Sequence, residues 1–133
     1  MQMIIFTLNE NYYAFSSENV EEITNKMPWT PVPQSPSWVQ GLVNLRGNVI
    51  TLINFYKLLS PTDEIEEICY NNIIIVKNDE EKIAFMVDEV AWVLDIEPSA
   101  IQQLDDKTDE LVSSVIQVKD QIVSVINMEK LFL

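Results

Sequence analysis

The chain has 133 residues, 47% of them hydrophobic, which suits one globular domain with a real core rather than a disordered segment. Its 21 acidic and 8 basic residues give a formal charge of −13, which excludes the general electrostatic footprint of a nucleic-acid binder and argues against insertion into an anionic membrane surface. With no histidine, two glycines and one cysteine, the chain lacks the commonest general base and metal ligand, a glycine-rich phosphate loop and any internal disulfide.

The N-terminal Met1-Gln2-Met3-Ile4-Ile5-Phe6 has no basic start of the signal-peptide kind. The longest apolar runs, such as residues 73–76, are too short to span a bilayer, so a cytoplasmic location is expected. Residues 3–8 read as a first strand, Asn9-Glu10-Asn11 as a turn, and residues 12–15 as the returning strand. Ser16 and Ser17 are placed to cap a brief helical turn before Ile23. Pro28, Pro31, Pro33 and Pro36 fix an extended connection that cannot join an interior strand. Residues 42–46 and 49–53 then flank Gly47-Asn48, which reads as a type II′ hairpin with glycine at the first loop position. Asn54 is the expected N-cap of a short helix over residues 55–59, and Pro61 helps end it. Beyond a polar linker at residues 60–67, strands are expected over 73–76, 83–87, 92–96, 115–118 and 122–126. Asn127 stands as the cap of a last helix over 128–132.

The second series repeats the first. Residues 4–28 match 74–98 at an offset of 70: Ala14-Phe15 answers Ala84-Phe85, Val20 answers Val90, and Pro28 answers Pro98. Residues 45–59 match 118–132 at an offset of 73, with Arg46 against Lys119, Ile53-Asn54 against Ile126-Asn127, and Lys57-Leu58 against Lys130-Leu131. One domain over 1–133 is expected, made of two similar units of about 1–60 and 70–133, with strands open to exchange between them. Units of this kind suit two small barrels, although one sandwich fits the same strand list.

The acidic clusters Asp63-Glu64-Glu66-Glu67, Asp79-Glu80-Glu81 and Asp105-Asp106-Asp109-Glu110 lack the alternating spacing and central glycine of a calcium loop. They read as solvated turns, and no metal, cofactor or catalytic residue is expected. Trp29, Trp38 and Trp92 are expected to fill a core or the space between barrels. Gly47 has a turn to make, and Gly41 marks a bulge or a close backbone approach. Arg46 suits an ion pair with Glu22, and its planar fork can hold one carboxylate and still offer donors outward.

The segment Val32-Pro33-Gln34-Ser35-Pro36-Ser37-Trp38-Val39-Gln40-Gly41-Leu42-Val43-Asn44-Leu45-Arg46-Gly47-Asn48-Val49-Ile50-Thr51-Leu52-Ile53-Asn54 resembles the CheW-like family pattern V-P-x-x-P-x-x-V-x-G-V-x-N-L-R-G-x-V-I-P-V-I-D. Val20-Glu21-Glu22-Ile23 resembles its V-x-E-I, and Met86-Val87-Asp88-Glu89-Val90 its L-V-D-x-V. The resemblance implies a mainly β fold of two intertwined, SH3-like five-stranded barrels with short helices, one of them C-terminal. It implies a non-enzymatic chemotaxis adaptor that couples a chemoreceptor's cytoplasmic tip to the regulatory domain of a CheA-type histidine kinase. Other CheW-like domains are further implied partners. The residues it points to for partner binding are Val20, Glu22, Gly41, Asn44, Leu45, Arg46 and Gly47.

The chain departs from the pattern at Thr51, in place of proline, and at Asn54, in place of aspartate. Lys82-Ile83-Ala84-Phe85 and Ser113-Ser114 also lack glycines common in the family. The competing expectations are a divergent SH3-like binding module for proline-rich ligands, a paralogue with another signalling partner, and an acid–base hydrolase built on aspartates such as Asp88.

Overall fold

The computed structural model describes residues 1–59, 70–104 and 111–131. The polar linker, Cys69 and the acidic clusters at 63–67 and 105–110 fall outside these residues. The apolar runs Met3-Ile4-Ile5-Phe6 and Ile73-Ile74-Ile75-Val76 are continuous because both faces of their strands are covered. These runs form the centres of β1 (Gln2–Leu8) and β6 (Asn72–Asn78). Each pairs with the next strand in a tight hairpin, β2 (Asn11–Ser16) and β7 (Glu81–Val87) respectively.

After each hairpin comes a third strand, β3 (Val20–Asn25) or β8 (Glu89–Asp95). A second hairpin follows, β4 (Val39–Leu45) with β5 (Asn48–Asn54), or β10 (Val112–Val118) with β11 (Gln121–Ile126). A short helix closes each series, α1 (Phe55–Leu59) and α2 (Met128–Leu131). The two-residue β9 (Gln102–Gln103) lies beside β10.

Both sheets mix strands from the two halves of the chain. One has the order β3-β6-β7-β5-β4, the other β8-β1-β2-β11-β10-β9. Each therefore takes one half's first hairpin and the other half's third strand and second hairpin. The joins are the parallel pairs β5–β7 and β2–β11, and their registers match at the offsets of the repeat: Thr51 lies opposite Ile83, and Ser124 opposite Tyr13. A register shift between Val20 and Glu22 on β3 answers one between Ile5 and Phe6, where β1 meets β8. The expected β architecture is thus present, with sheets of five and six strands whose ladders run open from edge to edge.

Strand alternation sorts the apolar residues into three cores. Val43, Ile50, Leu52, Ile73, Ile75, Ala84 and Met86 fill one side of the five-stranded sheet. Met3, Ile5, Ala14, Ile116, Val118, Val123 and Val125 fill one side of the six-stranded sheet. Between them lies a shared core containing Ile4, Phe6, Leu8, Phe15, Phe55, Ile74, Val76 and Phe85. Its aromatic rings interlock, with Phe6 4.9 Å from Phe15 and Phe55 edge-on to Phe85 at 5.0 Å. Burying both faces of β1 and β6 in this way leaves neither half able to shed the other without exposing aromatic surface.

Local chemistry sets the helix and turn positions. Asn54 caps α1: its Oδ1 accepts the Lys57 N–H at 3.2 Å and the Tyr70 hydroxyl at 2.8 Å. Ser16 precedes the expected turn, a single 3₁₀ turn over Ser17–Asn19, but its side chain makes no cap bond. Its hydroxyl is instead buried without a hydrogen-bond partner. No helix among the described residues is long and apolar enough to cross a membrane.

Candidate functional site

The hairpin joining β4 and β5 differs from its expected form. Leu45 pairs with Asn48, so the loop is Arg46-Gly47 rather than Gly47-Asn48. Both loop residues have positive φ, 52° and 85°, as a type I′ turn requires. Both primed turns match the right-handed twist of the flanking strands, so the pairing of Leu45 with Asn48 decides between them: it puts Arg46 at the first loop position, where it accepts the left-handed conformation. Asn44 helps hold the turn, its Oδ1 accepting the Gly47 N–H at 3.0 Å.

This turn aims Arg46 across the open side of the sheet at Glu22 on β3. Nη1 donates to Oε1 at 2.7 Å and Nη2 to Oε2 at 2.8 Å, a two-pronged fork. β3 and β4 are the opposite edges of the five-stranded sheet, so a side-chain pair closes the curl that backbone hydrogen bonds leave open. The Arg46 side chain is 69% exposed and that of Glu22 26%. The hydrogen bond from Arg46 holds the Glu22 carboxyl below its ordinary range and raises the guanidinium further. Both groups stay ionised at neutral pH. Beside them the Lys82 ammonium lies 3.1 Å from the Glu21 carboxylate.

The other sequence-predicted residues surround this fork in different ways. Val20 is half-buried and packs on the shared core. Leu45, also half-buried, packs on the core of the five-stranded sheet. Asn44 and Gly47 are exposed at the turn. Gly41 stands apart, buried at the far end of β4 beside a register shift between Val39 and Gly41. Thr30 pairs there with Leu42, and a Cβ on Gly41 would lie 2.4 Å from the Thr30 carbonyl oxygen and 2.9 Å from Trp29 Cδ1. Gly41 is therefore a close-approach glycine that lets the proline-rich connection cover the β4 edge. Ser114, also buried, stands at the matching shift on β10.

Sequence reasoning missed the counterpart of the fork. Lys119, in the turn after β10, places its ammonium 4.9 Å from the ring centre of Trp92 on β8. Trp92 in turn stacks on Tyr12 at 5.3 Å. Position 22 answers position 92, and Arg46 answers Lys119, so one sheet is closed by an ion pair and the other by a cation on an aromatic stack. The offsets of the repeat held that signal.

The tryptophan expectation needs correction for two of three. Trp92 packs on a core, but Trp29 and Trp38 are 41% and 37% exposed, because the proline-rich connection runs over the surface rather than between the sheets. Elsewhere, burial raises the pKa of Asp88, whose carboxylate accepts the Asn9 N–H at 3.1 Å. Among the described residues, no group of three His, Cys, Asp or Glu side chains is placed to hold a metal ion.

The family model of the CheW-like domain matches residues 2–133. The Chemotaxis protein CheW of Thermotoga maritima is 26% identical over 132 residues, covering 98% of this chain and 86% of the relative. That of Bacillus subtilis is 28% identical over 131 residues, covering 95% and 83%. The crystal structure of the scaffolding protein TtCheW from Thermoanaerobacter tengcongensis superposes with a TM-score of 0.85 at 25% identity, covering 99% of this chain and 87% of that one.

Proposed function

The chain belongs to the CheW-like domain family and is a chemotaxis signal-transduction adaptor, and we propose that it couples the cytoplasmic tip of a chemoreceptor to the regulatory domain of a CheA-type histidine kinase. The observation that carries this reading is the Glu22–Arg46 fork. It fixes the Asn44-Leu45-Arg46-Gly47 turn against β3 while leaving most of the arginine in solvent. A preorganised cation with free donors suits moderate-affinity recognition, because little side-chain freedom remains to be lost on binding. Within the proposed site, Glu22, Asn44, Arg46 and Gly47 act at the surface, Val20 and Leu45 anchor the two strands, and Gly41 sets the path of the covering connection.

The adaptor works in the cytoplasm, without catalysis and without a cofactor. Its chain is one domain of two units, about 1–60 and 70–133, that exchange strands. Other CheW-like domains are further partners in this proposal. Exposed apolar side chains at matching places, Ile23 with Val93 and Val49 with Ile122, give the two sheets related contact surfaces.

A three-component capture experiment tests the coupling. Immobilised receptor-tip fragment should retain the kinase's regulatory domain when this chain is present and release it when the chain is omitted. Equal retention without the chain, or none with it, would refute the proposal.

A further inference from the structure

The five-stranded sheet has an opening at one end that the other sheet fills from its own chain. Two backbone landmarks align these ends. Lys26 N–H donates to Asn71 O as Ile96 N–H donates to Met1 O, and Thr30 pairs with Leu42 as Gln102 pairs with Val115. Lys26 and Trp29 therefore stand where the other sheet has Ile96 and Ile101. Those two isoleucines pack on their sheet's core. Here a cavity of about 260 Å³ remains instead.

Its floor is core: Leu52, Ile73 and Met86 are at most 3% exposed. Met27 and Trp29 form its sides, and Lys26 is the one charged residue among those described that line it. Tyr70 also borders the cavity, but its hydroxyl is already engaged with Asn54 and its pKa is pushed up to about 12 by burial. It supplies a neutral wall. Lys26 makes no ion pair among the described residues. An apolar cavity of roughly 150 Å³ accepts a benzene ring, so this one has room for a single ring or a short branched chain with a polar head at the rim.

We propose that this cavity binds a small organic carboxylate with a single-ring or branched aliphatic tail. The tail rests on Leu52, Ile73 and Met86, in the role that Ile101 plays for the other sheet, and the carboxylate meets the Lys26 ammonium. The flexible Met27 and Met86 thioethers adapt readily to such a tail, and the Trp29 indole offers it a flat apolar face. The site is separate from the Glu22–Arg46 fork and does not depend on the adaptor reading.

Phenylacetate and its uncharged analogue phenylacetamide test it, with the full chain carrying ¹³C-methyl methionine. The Met27 and Met86 methyl signals should shift saturably with phenylacetate, while Met3, in the core of the other sheet, stays still. Lys26→Gln lies at the rim and should leave the fold intact. It should weaken phenylacetate about tenfold, the loss of one charge-assisted contact, and leave phenylacetamide unchanged. Absence of a saturable Met27 and Met86 response by about 10 mM, the weak end for so small a ligand, would overturn the site. Equal movement of Met3, or equal binding of acid and amide unaffected by Lys26→Gln, would overturn it as well.

Discussion

Three side chains separate what builds the site from what it offers. Gly41 is held by space: a methyl group there would meet a backbone oxygen at 2.4 Å, which no rotamer change relieves. Gly41→Ala should cost about 3 kcal/mol, the upper end for overpacking, read from denaturant midpoints. Asn54 is held by bonds, since it caps α1 and accepts the Tyr70 hydroxyl. Asn54→Ala should cost about 2–3 kcal/mol, one part lost cap and one part stranded hydroxyl. Glu22 is held by charge. Its folded pKa lies below the ordinary 4.5, so its contribution is present above that value and lost as pH falls through the lowered one. Acid titration of stability should therefore show a shallower fall for Glu22→Gln than for the parent below about pH 4.5; parallel curves would place the ion pair outside the energetics. At this scale the sequence was informative. Asn54 before an apolar helix reads as a cap and is one, and Arg46 points to Glu22. In sequence Gly41 fits either a bulge or a close approach, and the structure shows both. The exposure of Trp29 and Trp38 was hidden, because composition records hydrophobicity but not the route of a proline-rich connection.

At the scale of elements, the β4–β5 hairpin carries the most meaning. Its loop puts an arginine, not a glycine, at the first left-handed position, a conformation costing roughly 1–2 kcal/mol for most side chains. Asparagine accepts it more easily. Arg46→Asn should thus keep the turn and remove the fork, leaving the thermal midpoint at or slightly above that of the parent by calorimetry. A large fall would mean that the fork, rather than the turn, holds the hairpin. The hairpin's existence was legible from glycine between two apolar runs. Its register was not, because a glycine serves either type II′ or type I′, and only the pairing of Leu45 with Asn48 decides. The missing family glycines have a physical account at one place: Ser114 fills the β10 position matching Gly41 and is buried there. The Thr51 departure sits inside β5, where its residue pairs with Leu42 on one side and Ile83 on the other, so an N–H is useful where proline has none.

For the molecule as a whole, the repeat in the sequence becomes two sheets that each borrow strands from the other half. Periodicity showed two similar units and left the exchange open, since alternation fixes faces but not partners across long separations. The shared aromatic core is what makes the exchange matter. Phe85→Ala should cost about 3–5 kcal/mol and lower both sheets in one transition rather than melting one alone, followed by hydrogen exchange on β1 and β6. Independent loss of one sheet would show that the core does not couple them. With that frame intact, the surface fork can be tested for function. Isothermal titration of the chain against the isolated regulatory domain of its own organism's CheA-type kinase, repeated with Arg46→Asn, shows whether the fork belongs to the kinase contact. The parent should show saturable one-to-one binding and the folded variant at least about tenfold weaker binding, from the loss of a charge-assisted contact. Absence of binding by the folded parent, or unchanged affinity in the variant, would contradict a place for the fork in that contact.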